Sequence, residues 1–330
     1  MTKGIGGSGV APRGLVIAAF AAIYLIWGST YLAIRFAIET LPPFLMGGGR
    51  FLLAGLILYV CLRLLGNPAP GKFHWWNATL VGAMLLGFGN GFVNWAERKV
   101  PSSLTALLIA ATPLWFALLD WLRPRGQRPR LQTLLGIFIG FFGVALLVGS
   151  RESLRRNSID AASAIALMLA SFSWAAGSLY ARYTPKPESR LMAVALQMIT
   201  GGLFLFLAGF VCGESETIEW SEISGRSAIA FLYLACVGSL VAFTAYSWLL
   251  KVSTPARIST YAYVNPVIAV FLGWGVGGET LTPRIVWAAA VIVLGVVIIT
   301  TRRAPRACET EVKNTTPTDQ SVLPNVANKS

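Results

Sequence analysis

Asn90, Asn94 and Glu97 fall at i, i+4 and i+7, a spacing that puts two amides and a carboxylate on one face of a helix. Tyr261 and Asn265 lie one turn apart, directly before Pro266, whose ring frees a backbone carbonyl one turn earlier. Arg50 stands inside an apolar run. These groups could bind a small polar solute: a guanidinium grips a carboxylate or other anionic group, and amides both donate and accept. The rings of Trp27 and Tyr31 could stack on a planar or cationic face, with Trp174 and Tyr246 as further candidates for the same wall. Aromatic rows at helical spacing also serve plain packing.

Bond-making chemistry finds no comparable set. Hydrolysis or group transfer needs His or paired carboxylates within reach of one another. The one histidine, His74, stands beside Trp75 and Trp76, and Glu97 and Asp120 lie near opposite ends of their runs. Cys61, Cys212, Cys236 and Cys308 are scattered without metal spacing. The stretch GWGVGG (273–278) lacks the strand context of a phosphate loop. Neither a catalytic residue, a metal site nor a cofactor is expected.

The elements that must position the polar groups are long apolar runs. Residues 15–34 are twenty residues without a charge, enough to cross a hydrocarbon core of roughly 30 Å at about 1.5 Å per residue. Nine more follow at about 44–65, 76–96, 103–122, 131–149, 160–181, 191–211, 227–250, 255–276 and 285–300. The expected fold class is an all-α integral membrane protein with ten transmembrane helices, its surroundings a lipid bilayer. Hydrophobic residues make up 55% of the chain and charged ones 12%, against roughly 25% charged in a soluble domain. Mean hydropathy is +0.65. A soluble core is excluded.

The net charge of +13 does not signal nucleic acid, because Lys and Arg sit in the short gaps between apolar runs rather than on one face. They set topology instead. With the amino terminus inside, eighteen of the 27 basic residues fall in cytoplasmic segments, although Arg151, Arg155 and Arg156 pull the other way. Both termini therefore read as cytoplasmic. The first run exceeds the usual signal-peptide core and no small-x-small cleavage site follows, so it is expected to be retained. Residues 1–14 read as a flexible segment and 301–330 as a disordered cytoplasmic tail.

The runs repeat. Tyr24, Trp27, Tyr31 and Arg35 in the first are matched 147 residues later by Ser171, Trp174, Ser178 and Arg182 in the sixth. Trp95 precedes Pro113 by 18 residues, and Trp248 precedes Pro266 by the same 18. GVALLV (143–148) and GVVIIT (295–300) close the fifth and tenth. The unit is five runs, and because five is odd its two copies, 15–150 and 160–300, insert with opposite orientation. Inverted repeats of this kind build many secondary transporters, with substrate held near the midplane between the halves. Pro113 and Pro266 would then mark symmetric kinked or unwound segments, although an ordinary kink relieved by a neighbouring helix uses the same residues.

The stretches IWGSTYLAIRFAIETLPPFLMGGGRFLLAG (26–55), VPSSLTALLIAATPLWFALL (100–119) and TYAYVNPVIAVFLGWGVGGETLT (260–282) resemble the EamA branch of the drug/metabolite transporter superfamily. The resemblance runs from about residue 15 to 300. It implies a bacterial inner-membrane protein, with each half an EamA-type five-helix repeat, that exports small metabolites such as amino acids, or drugs. One departure is visible: an acidic residue often found after the fourth span, matching Glu279 after the ninth, is replaced by the basic PRGQRPR (124–130).

Polar residues in an apolar span must face protein or water. Runs five and ten carry almost none and are placed at the periphery, where Gly136, Gly140 and Gly143 offer a close-packing face that could serve a homodimer. Arg50 lies about 9 Å inside its run, where a charge costs up to roughly 2.5–3.5 kcal/mol. It either holds an anionic group of the substrate, pairs with Glu97 in an outer gate, or snorkels to the interface. Glu97, Pro113 and Pro266 are the gating and hinge candidates. The resemblance implies a further limit: sugar-phosphate carriers of the wider superfamily rely on several basic residues in the cavity, and by that logic one buried arginine is too few for a dianion, so a neutral or zwitterionic small molecule is the expected substrate. With no ATP-binding motif, gradients must supply the energy; with no carboxylate near midplane, facilitated export or exchange is favoured, Glu97 being the one route to proton coupling. A channel or a membrane-embedded enzyme is the alternative to an alternating-access carrier.

Overall fold

In the absence of water, every backbone N–H and C=O of a spanning segment must find its partner within the segment, and a helix does this for an apolar run. The computed structural model of the chain describes residues 12–122, 131–148, 160–185, 187, 189–253 and 260–300. Among them every regular element is helical. Six helical stretches are long and apolar enough to cross a membrane: Arg13–Ala37, Pro43–Leu64, Ser102–Leu122, Ala161–Tyr183, Arg190–Val211 and Gly225–Tyr246. Shorter apolar helices occupy Leu131–Leu146, Val264–Gly275 and Pro283–Ile298. The expected tail, the loop 124–130 and Arg151, Arg155 and Arg156 lie outside the described residues.

In chain order the helices are α1 (Arg13–Ala37), α2 (Pro43–Leu64), α3 (Lys72–Gly82), α4 (Gly91–Ala96), α5 (Ser102–Ile109), α6 (Thr112–Leu122) and α7 (Leu131–Val148). There follow α8 (Ala161–Tyr183), α9 (Arg190–Val211), α10 (Gly225–Leu232), α11 (Ala242–Val252), α12 (Tyr261–Gly275) and α13 (Pro283–Thr300). Two π-helical segments, Ala83–Asn90 and Tyr233–Val241, join α3 to α4 and α10 to α11. Each carries a polar side chain that bonds the carbonyl five residues back: Asn90 to Leu85 O at 3.4 Å and Ser239 to Leu234 O at 3.0 Å.

The two prolines behave differently. Between α5 and α6 the chain bends at Ala110 and Ala111, leaving Pro113 in the first turn of α6, where its missing N–H has no partner to lose. Pro266 lies inside a continuous α12.

Glycines set the closest helix pairs. A Cβ on Gly202 of α9 would stand 2.8 Å from the Leu52 amide of α2, and one on Gly55 would stand 2.9 Å from the Ile199 amide. α7 and α13 pair the same way, since a Cβ on Gly295 would lie 2.6 Å from the Gly140 amide and one on Gly143 would meet Ile292 at 2.8 Å. The close-packing glycine face of α7 is thus occupied by α13 of the same chain. Ile34, Leu107, Leu108, Leu114 and Leu167 sit in the main buried cluster, while Ile17, Val60, Phe138, Leu207 and Trp287 point outward, as a lipid-facing surface requires. The carboxyl-terminal ends of α1, α4, α9 and α12 come together, so Arg35, Glu97, Glu214 and Glu279 collect at one end of the bundle, here the carboxylate end.

Candidate functional site

Trp27 of α1 is the hub of an aromatic group drawn from three helices. Its ring centroid lies 5.2 Å from Tyr261, 5.3 Å from Tyr246 and 5.3 Å from Phe243. α1 and α12 approach this closely because Gly28 faces Ile268 and the Asn265 carbonyl. The buried Asn265 aims its amide nitrogen at the Tyr24 and Tyr261 carbonyls, 3.3 Å from each, so it ties α1 to α12. Phe243 continues into a second buried cluster with Phe51 and Leu86, against which Trp174 packs. Trp27 and Trp174, matched by the repeat, therefore reach the same buried cluster, Trp27 through Phe243.

Arg50 is only 4% exposed. Its Nε donates to Ser239 Oγ at 3.0 Å, and its guanidinium sits 4.6 Å from the Phe51 ring centroid. The π segment holds Ser239 in place through Leu234 O. Nearby, the Tyr233 hydroxyl shares a 2.6 Å hydrogen bond with Ser29 of α1. Arg50 and Glu97 attract one another through the interior but form no direct ion pair. Glu97 is likewise 4% exposed, and neither of its oxygens has a donor; Asn94 Oδ1 and Thr105 Oγ1 are also buried without partners. The polar stripe divides accordingly. Asn94 Nδ2 reaches Pro43 O at 3.2 Å, Asn90 turns to its own helix, and Tyr31 packs against the main core within the field of Glu97.

The carboxylate end is joined by charged groups. Glu279 Oε1 accepts from the Ser102 amide at 2.8 Å, the Ser102 hydroxyl at 2.7 Å and Arg35 at 2.5 Å. Its Oε2 accepts from the Ser103 amide at 3.0 Å and from the Ser103 hydroxyl. Glu279 thereby caps the N-terminus of α5, where unpaired N–H groups and the helix dipole favour an anion. Burial pushes its carboxyl up, but the Ser103 and Ser102 hydrogen bonds outweigh that and hold it below the ordinary carboxylate range. Glu214 caps α2 in the same fashion, accepting from the Phe44 and Leu45 amides at 3.0 Å each. Here burial prevails over the Leu45 and Phe44 hydrogen bonds and raises the carboxyl. Arg226 pairs with Glu39 at 3.3 Å and stacks 3.6 Å from the Phe36 centroid, and Lys99 reaches Asp160 at 3.8 Å.

At the opposite end, Tyr180 donates to Asn77 Oδ1 at 3.3 Å and Thr200 to Ala78 O at 2.9 Å. A recess opens there between α3, α8 and α9, lined by His74, Asn77, Thr184 and Gln197 among others. Among the described residues no cluster of His, Cys, Asp or Glu could hold a metal.

Sequence reasoning picked out Trp27, Tyr246 and Tyr261, which do meet. It missed Ser29, Tyr233 and Ser239, whose signal was available: small or hydroxylated residues inside apolar runs must face protein. Glu214 had no such signal, being one loop acid among Glu214, Glu216, Glu219 and Glu222.

The sequence pattern of the EamA-like transporter family matches residues 13–149 and again 161–301. The chain is 42% identical over 284 residues to the uncharacterized inner membrane transporter YedA of Escherichia coli K12, spanning 86% of this chain and 89% of that one. It is 24% identical to a probable amino-acid metabolite efflux pump of Salmonella typhimurium LT2, over 84% of this chain and 91% of that protein. A solved crystal structure shares the fold with a TM-score of 0.58 at 19% identity, covering 88% of this chain and 98% of its own.

Proposed function

This chain belongs to the EamA-like transporter family, and from that premise we propose that it is a secondary transporter exporting small metabolites, amino-acid-like or drug-like, across the cytoplasmic membrane by alternating access. On this reading ten spans form two inverted five-helix repeats. Both termini are cytoplasmic and the carboxylate end faces outward. The recess beside His74 and Asn77 then lies on the cytoplasmic side.

The observation that carries the proposal is Arg50: a guanidinium 4% exposed, held by a serine hydroxyl beside the Phe51 ring and, among the described residues, in direct contact with no carboxylate. A buried cation without a counter-ion is costly, and an anionic group on a solute offsets that cost. The Trp27, Tyr246 and Tyr261 rings supply a surface for the rest of such a molecule. The name of the Salmonella relative, an amino-acid metabolite efflux pump, points to the same class of solute.

The test compares media from cells overproducing the protein with media from cells carrying Trp27→Ala and Arg50→Ala at equal expression. Mass spectrometry should find a metabolite enriched only by the intact protein. Within that assay Arg50→Lys should weaken export, and full export by Arg50→Gln would rule out the role given to this residue.

A further inference from the structure

Two buried glutamates at the carboxylate end meet opposite surroundings. Glu279 receives two amides, two hydroxyls and Arg35, enough donors to keep it ionised. Glu97 receives none, although both of its oxygens are buried.

The groups that face Glu97 make the contrast sharper. Arg35 of α1 is committed to Glu279, and Tyr31 of α1 donates nothing to it. Arg50 of α2 is turned toward the π segment, bonded to Ser239 with its guanidinium beside Gly238. Ser102 and Ser103 of α5 give their hydrogen bonds to Glu279, and Thr105 of the same helix is unpartnered. Asn94, one turn back on α4, presents an oxygen with no donor, and at the start of α8 Asp160 faces Lys99 rather than Glu97. The nearby Glu279 carboxylate repels a second negative charge. An anion in this setting is enclosed away from bulk solvent and, among the described residues, meets no hydrogen-bond donor, so the neutral acid is the form that burial tolerates.

We propose that Glu97 is a proton-binding site of the transport cycle, holding a proton while the carboxylate end is closed and releasing it when that end opens. The inference rests on the transport reading above. A proton is the ligand an enclosed carboxyl takes without displacing a neighbouring atom. On opening, water reaches Glu97, the O–H bond breaks, the proton passes to water, and the carboxylate left behind is drawn toward Arg50. Closure reverses each step. The conformational change and the proton are thereby linked, so the pH on the side that the carboxylate end faces biases whether that end is open, acid favouring the closed form.

The experiment is pH-difference infrared spectroscopy of the full chain in lipid nanodiscs. A carbonyl stretch of a protonated carboxylic acid should persist at neutral pH and vanish in Glu97→Gln. In Arg50→Gln the band should survive to higher pH than in the intact protein, because a cation that favours the ionised form is gone. No such band at neutral pH, or a band unchanged in Glu97→Gln, overturns the proposal. If Glu97→Gln does not fold, the direction of the shift in Arg50→Gln decides alone, a fall or no change counting against it. Neither readout needs a substrate, so a negative result here leaves the export reading standing, and a medium assay without an exported metabolite leaves this one intact.

Discussion

At the carboxylate end, Glu279 and Glu214 each bind the free amides of a helix that begins far away in the chain. At the opposite end, Tyr180 and Thr200 tie α8 and α9 to α3 through uncharged hydrogen bonds, and Gly82 further along α3 lets it rest against the α9 backbone. The difference is between a charged cap, whose amide donors can be exchanged for water, and a glycine contact at the other end that has no donor to exchange. A carboxylate leaving a helix N-terminus exchanges amide donors for water in one step, which suits an end proposed to switch between two discrete states. A glycine crossing has no polar partner to exchange, and it loosens only as close packing is lost. The carboxylate end has the properties of a gate, and the glycine contacts those of a fixed seam.

The largest expected effect tests the gate. Glu279→Ala removes every acceptor from the α5 N-terminus and leaves Arg35 without its partner, which should lower stability by about 3–5 kcal/mol in detergent unfolding. The pH dependence has a definite sign. Because the Glu279 carboxyl is held below its ordinary range, its contribution is complete above that range and disappears as pH falls through the lowered value. Glu214, raised by burial, works in the other direction and favours the folded state on acidification. Acid loss of stability should therefore shrink in Glu279→Gln.

A smaller effect tests the seam. A side chain on Gly82 would meet Gln197 O at 2.6 Å, so Gly82→Leu should cost about 1–3 kcal/mol by overpacking, equally at acid and neutral pH. A Gly82→Leu loss exceeding that of Glu279→Ala would reverse the comparison. The smallest effect belongs to Lys99→Ala. Its 3.8 Å pair with Asp160 is largely exposed and should contribute less than about 1 kcal/mol, vanishing in high salt.

How much of this was legible beforehand depends on whether a feature is local. The apolar runs follow directly from hydropathy, and the six long spanning stretches fall where the sequence puts them. Arg50 and the Trp27 group stand out because charge and aromatic rings are conspicuous in an apolar helix. The partner of Arg50 was not legible, since Ser239 lies 189 residues away and helical periodicity fixes the face of each helix but not its register against another. The π segments were invisible for another reason: a widened turn in AMLLGFGN or YLACVGSLV asks for no special residue. The glycine face of α7 was legible as a close-packing surface but its partner α13 was not, because small residues mark close approach without saying to which helix.

Both capping carboxylates belong to the later part of the chain and both capped helices to the earlier part. Phe44 and Glu214 are 170 residues apart, and Ser102 and Glu279 are 177. Ribosomal synthesis therefore delivers α2 and α5 long before the groups that satisfy their first amides exist. These helix starts must stay hydrated, near the membrane surface, until Glu214 and Glu279 emerge in turn. The end of the bundle proposed to open and close is thus also the last part of it to be completed at birth.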